Sequence, residues 1–119
     1  MIIAVDFDGT LVSFDYPSIG VPNDALFRYL KVLKEEVGHK LILWTCRVGE
    51  QLDEAVEFCK EKGLEFDEVN KNLPESIAAF GTDAGKILAD IYIDDKGIHP
   101  NEFLARALRE RWKASNDPL

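Results

Sequence analysis

The chain begins MIIAVDFDGT, residues 1–10, and this beginning indicates the kind of sheet that it forms. Residues 2–5 are a short apolar run, and the acidic motif DFDGT follows directly. A continuous apolar run of this length is typical of a strand buried on both faces of a parallel sheet. Because residues two apart in an extended chain point the same way, we expect the carboxylates of Asp6 and Asp8 to face one spot, with Phe7 turned to the core.

The same kind of apolar run recurs three times, at Leu41–Trp44, Phe66–Val69 and Ile91–Ile93. Stretches with a helical spacing of apolar residues separate these predicted strands. Strands that alternate with helices imply β-α-β crossovers, so we predict an α/β protein with a three-layer α/β/α, Rossmann-like parallel sheet. The predicted helices begin near Asn23 or Asp24 and stop at Gly38, run through Leu52–Cys59 and stop at Gly63, span Pro74–Phe80, and begin at Pro100.

Length and composition predict a single domain over residues 1–119. The chain has 119 residues, of which 46% are hydrophobic, and its formal net charge is -8. That charge argues against a protein that coats duplex nucleic acid, whose affinity would come from Lys and Arg. We expect the last helix to bury Leu104, Ala107 and Leu108, and residues 116–119 to form a frayed tail.

Cysteine usage and the short apolar runs predict a cytoplasmic protein. Cys46 and Cys59 match neither a zinc or redox motif nor a secreted disulfide framework, so both are expected to be buried and reduced. The N-terminal segment has no basic leader and meets an acid at Asp6, unlike a signal peptide. Apolar runs such as residues 41–44 are far shorter than the ~20 residues of a membrane helix. A homo-oligomer is compatible with these features.

A second acidic pair, Asp94-Asp95, ends the last predicted strand. The carboxyl ends of parallel strands share one edge of a sheet, so we expect this pair to meet Asp6 and Asp8 there. Crowded carboxylates are tolerated if a cation lies between them or if one of them holds a proton. Mg²⁺ prefers oxygen ligands, whereas the two histidines of the chain lack a zinc-ligand spacing. We interpret the acids as a magnesium site, against the alternative of turn and capping aspartates.

Three further residues are predicted to support the site because of their positions relative to the acids. Gly9 permits a sharp departure of the chain after the two carboxylates. Thr45 ends the second predicted strand, where its hydroxyl could hydrogen-bond a phosphoryl oxygen. Lys86 precedes the last strand, where its ammonium could offset negative charge. A Thr at a strand end and a single Lys are common for structural reasons, so both gain a role only beside the acids.

Four features of the sequence resemble, in order, the motifs of the haloacid dehalogenase-like superfamily of phosphohydrolases. They are DFDGT, a strand that ends in Thr45, the later Lys86, and a strand that ends in Asp94-Asp95. The resemblance covers residues 2–95, and DFDGT is its most specific part. It implies a magnesium-dependent phosphatase that cleaves phosphate monoesters through an aspartyl-phosphate intermediate.

By this resemblance, Asp6 would be the nucleophile, and Asp8 would protonate the leaving alcohol and then activate water. Thr45 and Lys86 would position and neutralise the phosphoryl group. Mg²⁺ would be held by Asp6, by the backbone carbonyl of Asp8 and by the Asp94-Asp95 pair, with Asp95 favoured as the direct ligand. The residues beside these positions would bind the substrate: Gly9, Thr10, Cys46 and Arg47.

Superfamily members that act on small metabolites usually carry a cap domain, and no segment of this chain is long enough for one. Residues 11–23 leave room only for a flap, Ser13–Gly20, and residues 47–85 are used by predicted helices and a strand. The site is therefore expected to be open to large substrates. On the flap, Phe14 and Tyr16 are interpreted either as groups that stack on a base or sugar, or as apolar cover.

Other functions compete with the phosphatase. A receiver-type phosphotransfer module also uses acids, a Thr and a Lys, but its phosphoacceptor would follow a central strand, where this chain has Thr45. A phosphotransferase needs closure against water, which a chain without a cap does not provide. A catalytically silent binding module would not need four intact motifs. Asp8 disfavours dehalogenation, because a halide leaves without a proton.

Two basic features keep alternative interpretations. Arg47 either holds a second anionic group of the substrate or is an ordinary surface charge. The end of the last helix, Arg106–Lys113, is basic and aromatic, and it either binds an acidic partner or favours the helix dipole. The substrate is predicted only as a phosphorylated compound, with a sugar, a nucleotide, a protein and a polynucleotide end as alternatives.

Overall fold

Within residues 1–116, four strands form one all-parallel sheet, which confirms the predicted α/β class. The strands are β1 (Ile2–Val5), β2 (Lys40–Leu43), β3 (Glu68–Val69) and β4 (Ile91–Ile93), in the sheet order β3-β2-β1-β4. The helices are α1 (Asp24–Val32), α2 (Gly49–Glu61), α3 (Pro74–Phe80) and α4 (Pro100–Asn116), and a π-helical turn, Leu33–Val37, continues α1.

This description comes from a computed structural model, which describes residues 1–116. Of the expected tail, Asn116 ends α4, and residues 117–119 lie outside the described residues. None of the helices in the described range combines the length and the apolarity that crossing a bilayer requires.

Side-chain caps and glycines set the helix boundaries that the sequence predicts. The side-chain oxygen of Asn23 accepts the N–H of Leu26 at 3.2 Å at the start of α1. Gly38, with a φ of 84°, ends the π-helical turn in the left-handed conformation. β3 begins at Glu68, later than the predicted strand Phe66–Val69. The side-chain carboxylate of Asp67 accepts the N–H of Leu41 at 2.8 Å at the point where the predicted strand would continue.

The two faces of the sheet carry cores of different size. The steps from β1 to β2 and from β2 to β3 run the same way across the sheet, so right-handed crossovers put α1 and α2 on one face. The step back to β4 puts α3 on the other face. The larger core, under α1 and α2, includes Ile3, Val5, Leu41, Leu43, Phe27, Leu30, Ala55 and Cys59. The smaller core on the opposite face consists of Ala4, Ile42, Leu73 and Ile87.

The last helix begins at Pro100 as predicted, but the expected burial of Leu104, Ala107 and Leu108 is wrong. Every described side chain of α4, from Pro100 to Lys113, is exposed. Leu104 and Leu108 are each 56% exposed. The three layers therefore come from α1 and α2 on one face of the sheet and α3 on the other, without α4.

The sheet register brings the predicted site residues to one edge. Val5 pairs with Leu43 in β2 and with Ile93 in β4. These three residues are the last of their strands, so the segments that begin with Asp6, Trp44 and Asp94 leave the sheet side by side.

Candidate active site

An acidic cleft of about 670 Å³ opens at this carboxyl edge of the sheet. Phe14 and Tyr16 of the flap, together with Trp44 and Lys96, form part of its wall. The cleft brings together most of the residues that the sequence predicts for the site: Asp6, Asp8, Thr45, Cys46, Arg47, Asp94 and Asp95.

Three carboxylates, those of Asp6, Asp94 and Asp95, form a cluster in the cleft. One oxygen from each lies within 4.8 Å of the others. The backbone N–H of Asp6 donates to the carbonyl of Ile93 at 2.9 Å, which holds the acid motif against the end of β4. Closely spaced carboxylate oxygens suit a hard divalent cation. The cluster could therefore hold a metal ion.

Thr10 and Gly9 hold Asp95 close to Asp6. The hydroxyl oxygen of Thr10 accepts the N–H of Asp95 at 3.1 Å, and the same hydroxyl donates to Asp6 Oδ2 at 3.5 Å. Gly9 has a φ of 83°, and a Cβ at this position would lie 2.4 Å from Asp95 Oδ2. These two residues, which the resemblance implies for substrate binding, contact the acids themselves in the structure.

The crowding changes the titration of Asp6. Burial, together with the negative charges of Asp94 and Asp95, raises the pKa of Asp6 from 3.8 to about 6. A hydrogen bond from the Phe7 backbone lowers this pKa in part. Near neutral pH, a proton and a cation therefore compete for the same oxygens.

Asp8 lines the same cleft, but its carboxylate does not belong to the three-acid cluster. Its two oxygens accept hydrogen bonds from Nε and Nη2 of Arg47, each at 2.8 Å. A bidentate pair of this kind fixes the orientation of both partners. The expectation that four carboxylates converge on one spot is therefore corrected: three converge, and the fourth pairs with a guanidinium.

Arg47 is 1% exposed, so its interpretation as an ordinary surface charge is wrong. Besides Asp8, its guanidinium donates to the flap carbonyls of Pro17 at 3.2 Å and Ser18 at 2.7 Å, and to the carbonyl of Gln51 in α2 at 3.3 Å. A guanidinium has five N–H donors, and these contacts use all of them. In this arrangement Arg47 joins Asp8, the flap and α2, and has no donor left for a ligand.

Aromatic rings enclose the same guanidinium. Its Cζ lies 5.0 Å from the ring centre of Phe7 and 5.1 Å from that of Tyr16. Tyr16 thus covers Arg47, which favours its interpretation as cover. Phe14 is 70% exposed at the mouth of the cleft and keeps the interpretation as a stacking group.

Thr45 and Cys46 follow β2 and line the cleft. The hydroxyl oxygen of Thr45 accepts the N–H of Arg47 at 3.1 Å, and the Thr45 N–H donates to the side chain of Asn70 at 2.8 Å. The Thr45 hydroxyl can therefore still donate a hydrogen bond to a group in the cleft. Cys46 is exposed, contrary to the prediction, whereas Cys59 is buried as predicted.

The structure places Lys86 outside the acidic cleft. Its ammonium lies 5.4 Å from the ring centre of Tyr92, and both residues line a neighbouring cavity of about 470 Å³. Trp44 lines the acidic cleft, and its ring lies 5.6 Å from that of Tyr92, so this aromatic pair separates the two cavities. Lys86 is not brought together with the acids.

Lys96 is the lysine that lines the acidic cleft, and the sequence prediction missed it. Its Nζ lies 3.6 Å from Asp95 Oδ2. The sequence feature that could have indicated Lys96 is its position directly after the Asp94-Asp95 pair. A lysine in a turn after two acids is ordinary in sequence, so only the fold distinguishes it.

Comparison with known proteins gives one informative match. No protein-family model matches the chain, and no curated protein does. Among solved structures, the chain is similar to a conserved protein from Bacteroides thetaiotaomicron, with 44% sequence identity and a TM-score of 0.70. The alignment covers 93% of this chain and 91% of the other.

Binding of Mg²⁺ to the three acids should stabilise the fold in a pH-dependent way. We expect a hundredfold excess of Mg²⁺ over its Kd to add about 2.7 kcal/mol to the free energy of unfolding at pH 7.5. The gain should be much smaller at pH 5, because the pKa of Asp6 is about 6 and the proton then occupies the site. Thermal unfolding with and without Mg²⁺ measures both values.

Without metal, the raised pKa of Asp6 makes the stability of the fold depend on pH in the opposite direction. The folded state binds this proton more tightly than the unfolded state, so stability should fall as pH rises from about 4 to 6. Asp6→Asn should remove both this fall and most of the Mg²⁺ gain, whereas Glu36→Gln, an exposed control, should change neither. An unchanged Mg²⁺ response in Asp6→Asn would contradict the metal site.

Arg47 should be a major stabilising residue. Arg47→Met leaves Asp8 and the flap carbonyls without their donor, and we expect it to lower the free energy of unfolding by about 3–5 kcal/mol. Arg47→Lys should cost less, because it keeps the charge but loses the planar fork. The exposed Arg28→Met is the control, with an expected change within about 0.5 kcal/mol. Equal effects of the two Met variants in urea unfolding would refute this role.

Proposed function

This chain belongs to the same family as the conserved Bacteroides thetaiotaomicron protein, and we propose that it is a magnesium-dependent phosphohydrolase of the haloacid dehalogenase-like superfamily. In this proposal it cleaves phosphate monoesters through an aspartyl phosphate on Asp6. The observation that carries the proposal is the three-acid cluster of Asp6, Asp94 and Asp95 in the cleft. Thr45 and Lys96 line the same cleft and supply a hydroxyl and an ammonium.

Charge is the first obstacle to this reaction. A carboxylate and a phosphate oxygen repel by about 4 kcal/mol per charge pair at 4 Å and an effective dielectric of about 20. Asp6, Asp94 and Asp95 are the residues that would hold Mg²⁺, which when bound neutralises negative charge and polarises the phosphoryl oxygens. Lys96, rather than Lys86, supplies the ammonium in this proposal, because it lines the cleft.

In the first half-reaction, a carboxylate oxygen of Asp6 attacks phosphorus. The ester P–O bond breaks, its electron pair leaves on the alcohol oxygen, and Asp8 gives that oxygen a proton. Each oxygen of Asp8 uses one lone pair for Arg47, so a second lone pair remains to carry this proton. The Thr45 hydroxyl donates a hydrogen bond to a phosphoryl oxygen and orients the group.

In the second half-reaction, water attacks phosphorus and gives its proton to Asp8. The bond between phosphorus and the Asp6 oxygen breaks, which releases inorganic phosphate and regenerates the carboxylate. Both halves use Asp8 as the proton carrier, and Arg47 keeps it at a constant place beside the cleft. The bidentate pair thus orients the group whose proton must move twice.

The open cleft supports hydrolysis over phosphoryl transfer to another acceptor. Among residues 1–116, the segments that follow DFDGT and β2 hold the flap, α2, β3 and α3, and no cap domain. Water therefore reaches the cleft, and a large phosphorylated substrate can approach it. Phe14 stands exposed at the mouth, in reach of a sugar or a base of such a substrate.

The direct test is turnover of an aryl phosphate with and without Mg²⁺. We expect hydrolysis that depends on Mg²⁺, and a loss on the order of 10⁴-fold or more in Asp6→Asn, which removes the nucleophile. Glu36→Gln should keep full activity. Full activity in Asp6→Asn would overturn the proposal, and a stable phosphoprotein that does not turn over would favour the receiver-type module.

Asp8 should matter most for poor leaving groups. Asp8→Asn keeps the shape and one acceptor for Arg47 but cannot donate a carboxyl proton, so we expect alkyl phosphates to lose about 10²–10⁴-fold in kcat. An aryloxide leaves without full protonation, so the kcat for aryl phosphates should fall much less. The ratio of the two rates, measured in wild type and variant, checks this role. Equal losses for both substrates would rule out Asp8 as the acid.

A further inference from the structure

The cavity that holds Lys86, here termed the Lys86 cavity, differs in composition from the acidic cleft beside it. Its volume is about 470 Å³, and most of its walls are apolar: Phe80, Ile87, Leu88, Ala89 and Tyr92. Among the described residues that line it, Lys86 is the only charged one. Small-molecule sites typically measure roughly 300–1,000 Å³ and combine apolar walls with a few polar groups. The Lys86 cavity therefore has the size and composition of a binding site.

Two donor groups of the Lys86 cavity have no hydrogen-bond or ion-pair partner within residues 1–116. The ammonium of Lys86 contacts only the face of the Tyr92 ring, 5.4 Å from its centre, and pairs with no carboxylate in this range. Ser76 also lines the cavity and is 8% exposed, and its hydroxyl donates to none of these residues. Buried polar groups normally have a partner. An ammonium and a hydroxyl that are both free to donate suit an anionic group.

Hydrogen bonds fix the walls of the Lys86 cavity. The side-chain amide of Asn72, a residue that is 3% exposed, donates to the carboxylate of Asp83 at 2.8 Å. Its side-chain oxygen accepts the N–H of Leu88 at 2.6 Å, so both ends of the loop that carries Lys86 are held. The hydroxyl of Tyr92 donates to the carbonyl of Ile87 and fixes the ring beneath the ammonium. A cavity held in this way requires little ordering when a ligand binds.

An aromatic pair connects the Lys86 cavity to the acidic cleft. Trp44 lines the cleft, Tyr92 lines the cavity, and their ring centres lie 5.6 Å apart. Tyr92 lies two positions before Asp94 at the end of β4. Residues two apart in an extended chain point to the same face and are about 7 Å apart. A flat group that lies along the two rings therefore leads from the acids toward Lys86.

We propose that the substrate is an aromatic phosphate monoester whose leaving group carries a carboxylate, and that the Lys86 cavity binds this carboxylate. The inference rests on the proposed function, which puts the phosphoryl group at Asp6. The aromatic body packs against Trp44 and Tyr92, and the carboxylate accepts hydrogen bonds from Lys86 and Ser76. One ammonium neutralises its single charge, whereas a second phosphate dianion would leave an unpaired charge among apolar walls. A sugar would leave most of its hydroxyls against the same walls.

Binding without turnover tests the cavity by itself. Isothermal titration calorimetry without Mg²⁺ compares biphenyl-4-carboxylate with biphenyl-4-carboxamide, which has the same shape and no charge. We expect the carboxylate to bind about tenfold more tightly, and Lys86→Met to remove this preference. Lys60→Met, which removes an exposed lysine of α2, should keep it and is the matched control. Equal binding of the two compounds, no saturable binding of the carboxylate, or a preference that survives Lys86→Met would overturn the assignment.

Turnover with Mg²⁺ tests whether the bound group is the leaving group. The substrates are the 4′-phosphate esters of 4′-hydroxybiphenyl-4-carboxylate and of its carboxamide. We expect wild type to favour the carboxylate ester about tenfold in kcat/KM, and Lys86→Met to bring the ratio close to one. Equal losses for both esters in Lys86→Met would overturn the inference, because Lys86 would then act on the phosphoryl group. A wild type that hydrolyses both esters equally overturns the inference alone, whereas failure of the proposed function appears as no turnover of any aryl phosphate, whatever the calorimetry shows.

Discussion

Repulsion among the carboxylates of Asp6, Asp94 and Asp95 is the constraint that organises one whole edge of this molecule. Asp6 and Asp94 directly follow β1 and β4, whose last residues pair with each other. The register of β1 is fixed by side chains buried on both of its faces, Ile3 and Val5 on one and Ala4 on the other, so this strand cannot slip to separate the charges. Relief comes from a proton on Asp6 or from a cation, which ties the ionisation of the site to the stability of the fold.

The second acid of the DFDGT motif meets a different environment. Asp8 pairs with the buried guanidinium of Arg47, and the same guanidinium holds the flap and α2. Two carboxylates that are neighbours in sequence therefore have different surroundings, one among acids and one beside a cation. In the proposed reaction, a cation held by the three acids would keep Asp6 ionised for its attack on phosphorus, and Arg47 would hold Asp8 in place beside it.

Much of the fold and part of the site follow from local patterns. The bounds of β1, β4 and α3 agree with the apolar runs and with Pro74, because local periodicity reports which residues face a core. Local patterns do not show that Lys96, and not Lys86, lines the acidic cleft. Asn72 is 3% exposed and binds Asp83 and the N–H of Leu88, so it fixes the loop that carries Lys86 beside the neighbouring cavity. Such long-range anchoring leaves no local signal.

By itself, the sequence determined the order of strands and helices, the parallel sheet and the presence of acids at the ends of two strands. The tertiary structure alone decided which partner each polar group meets. Asp8 and Arg47 are 39 positions apart, and their pairing depends on the paths of β1 and β2 through the sheet. The exposed face of α4 has the same explanation: a helical repeat of apolar residues predicts a buried face, but burial depends on which elements lie beside the helix in space.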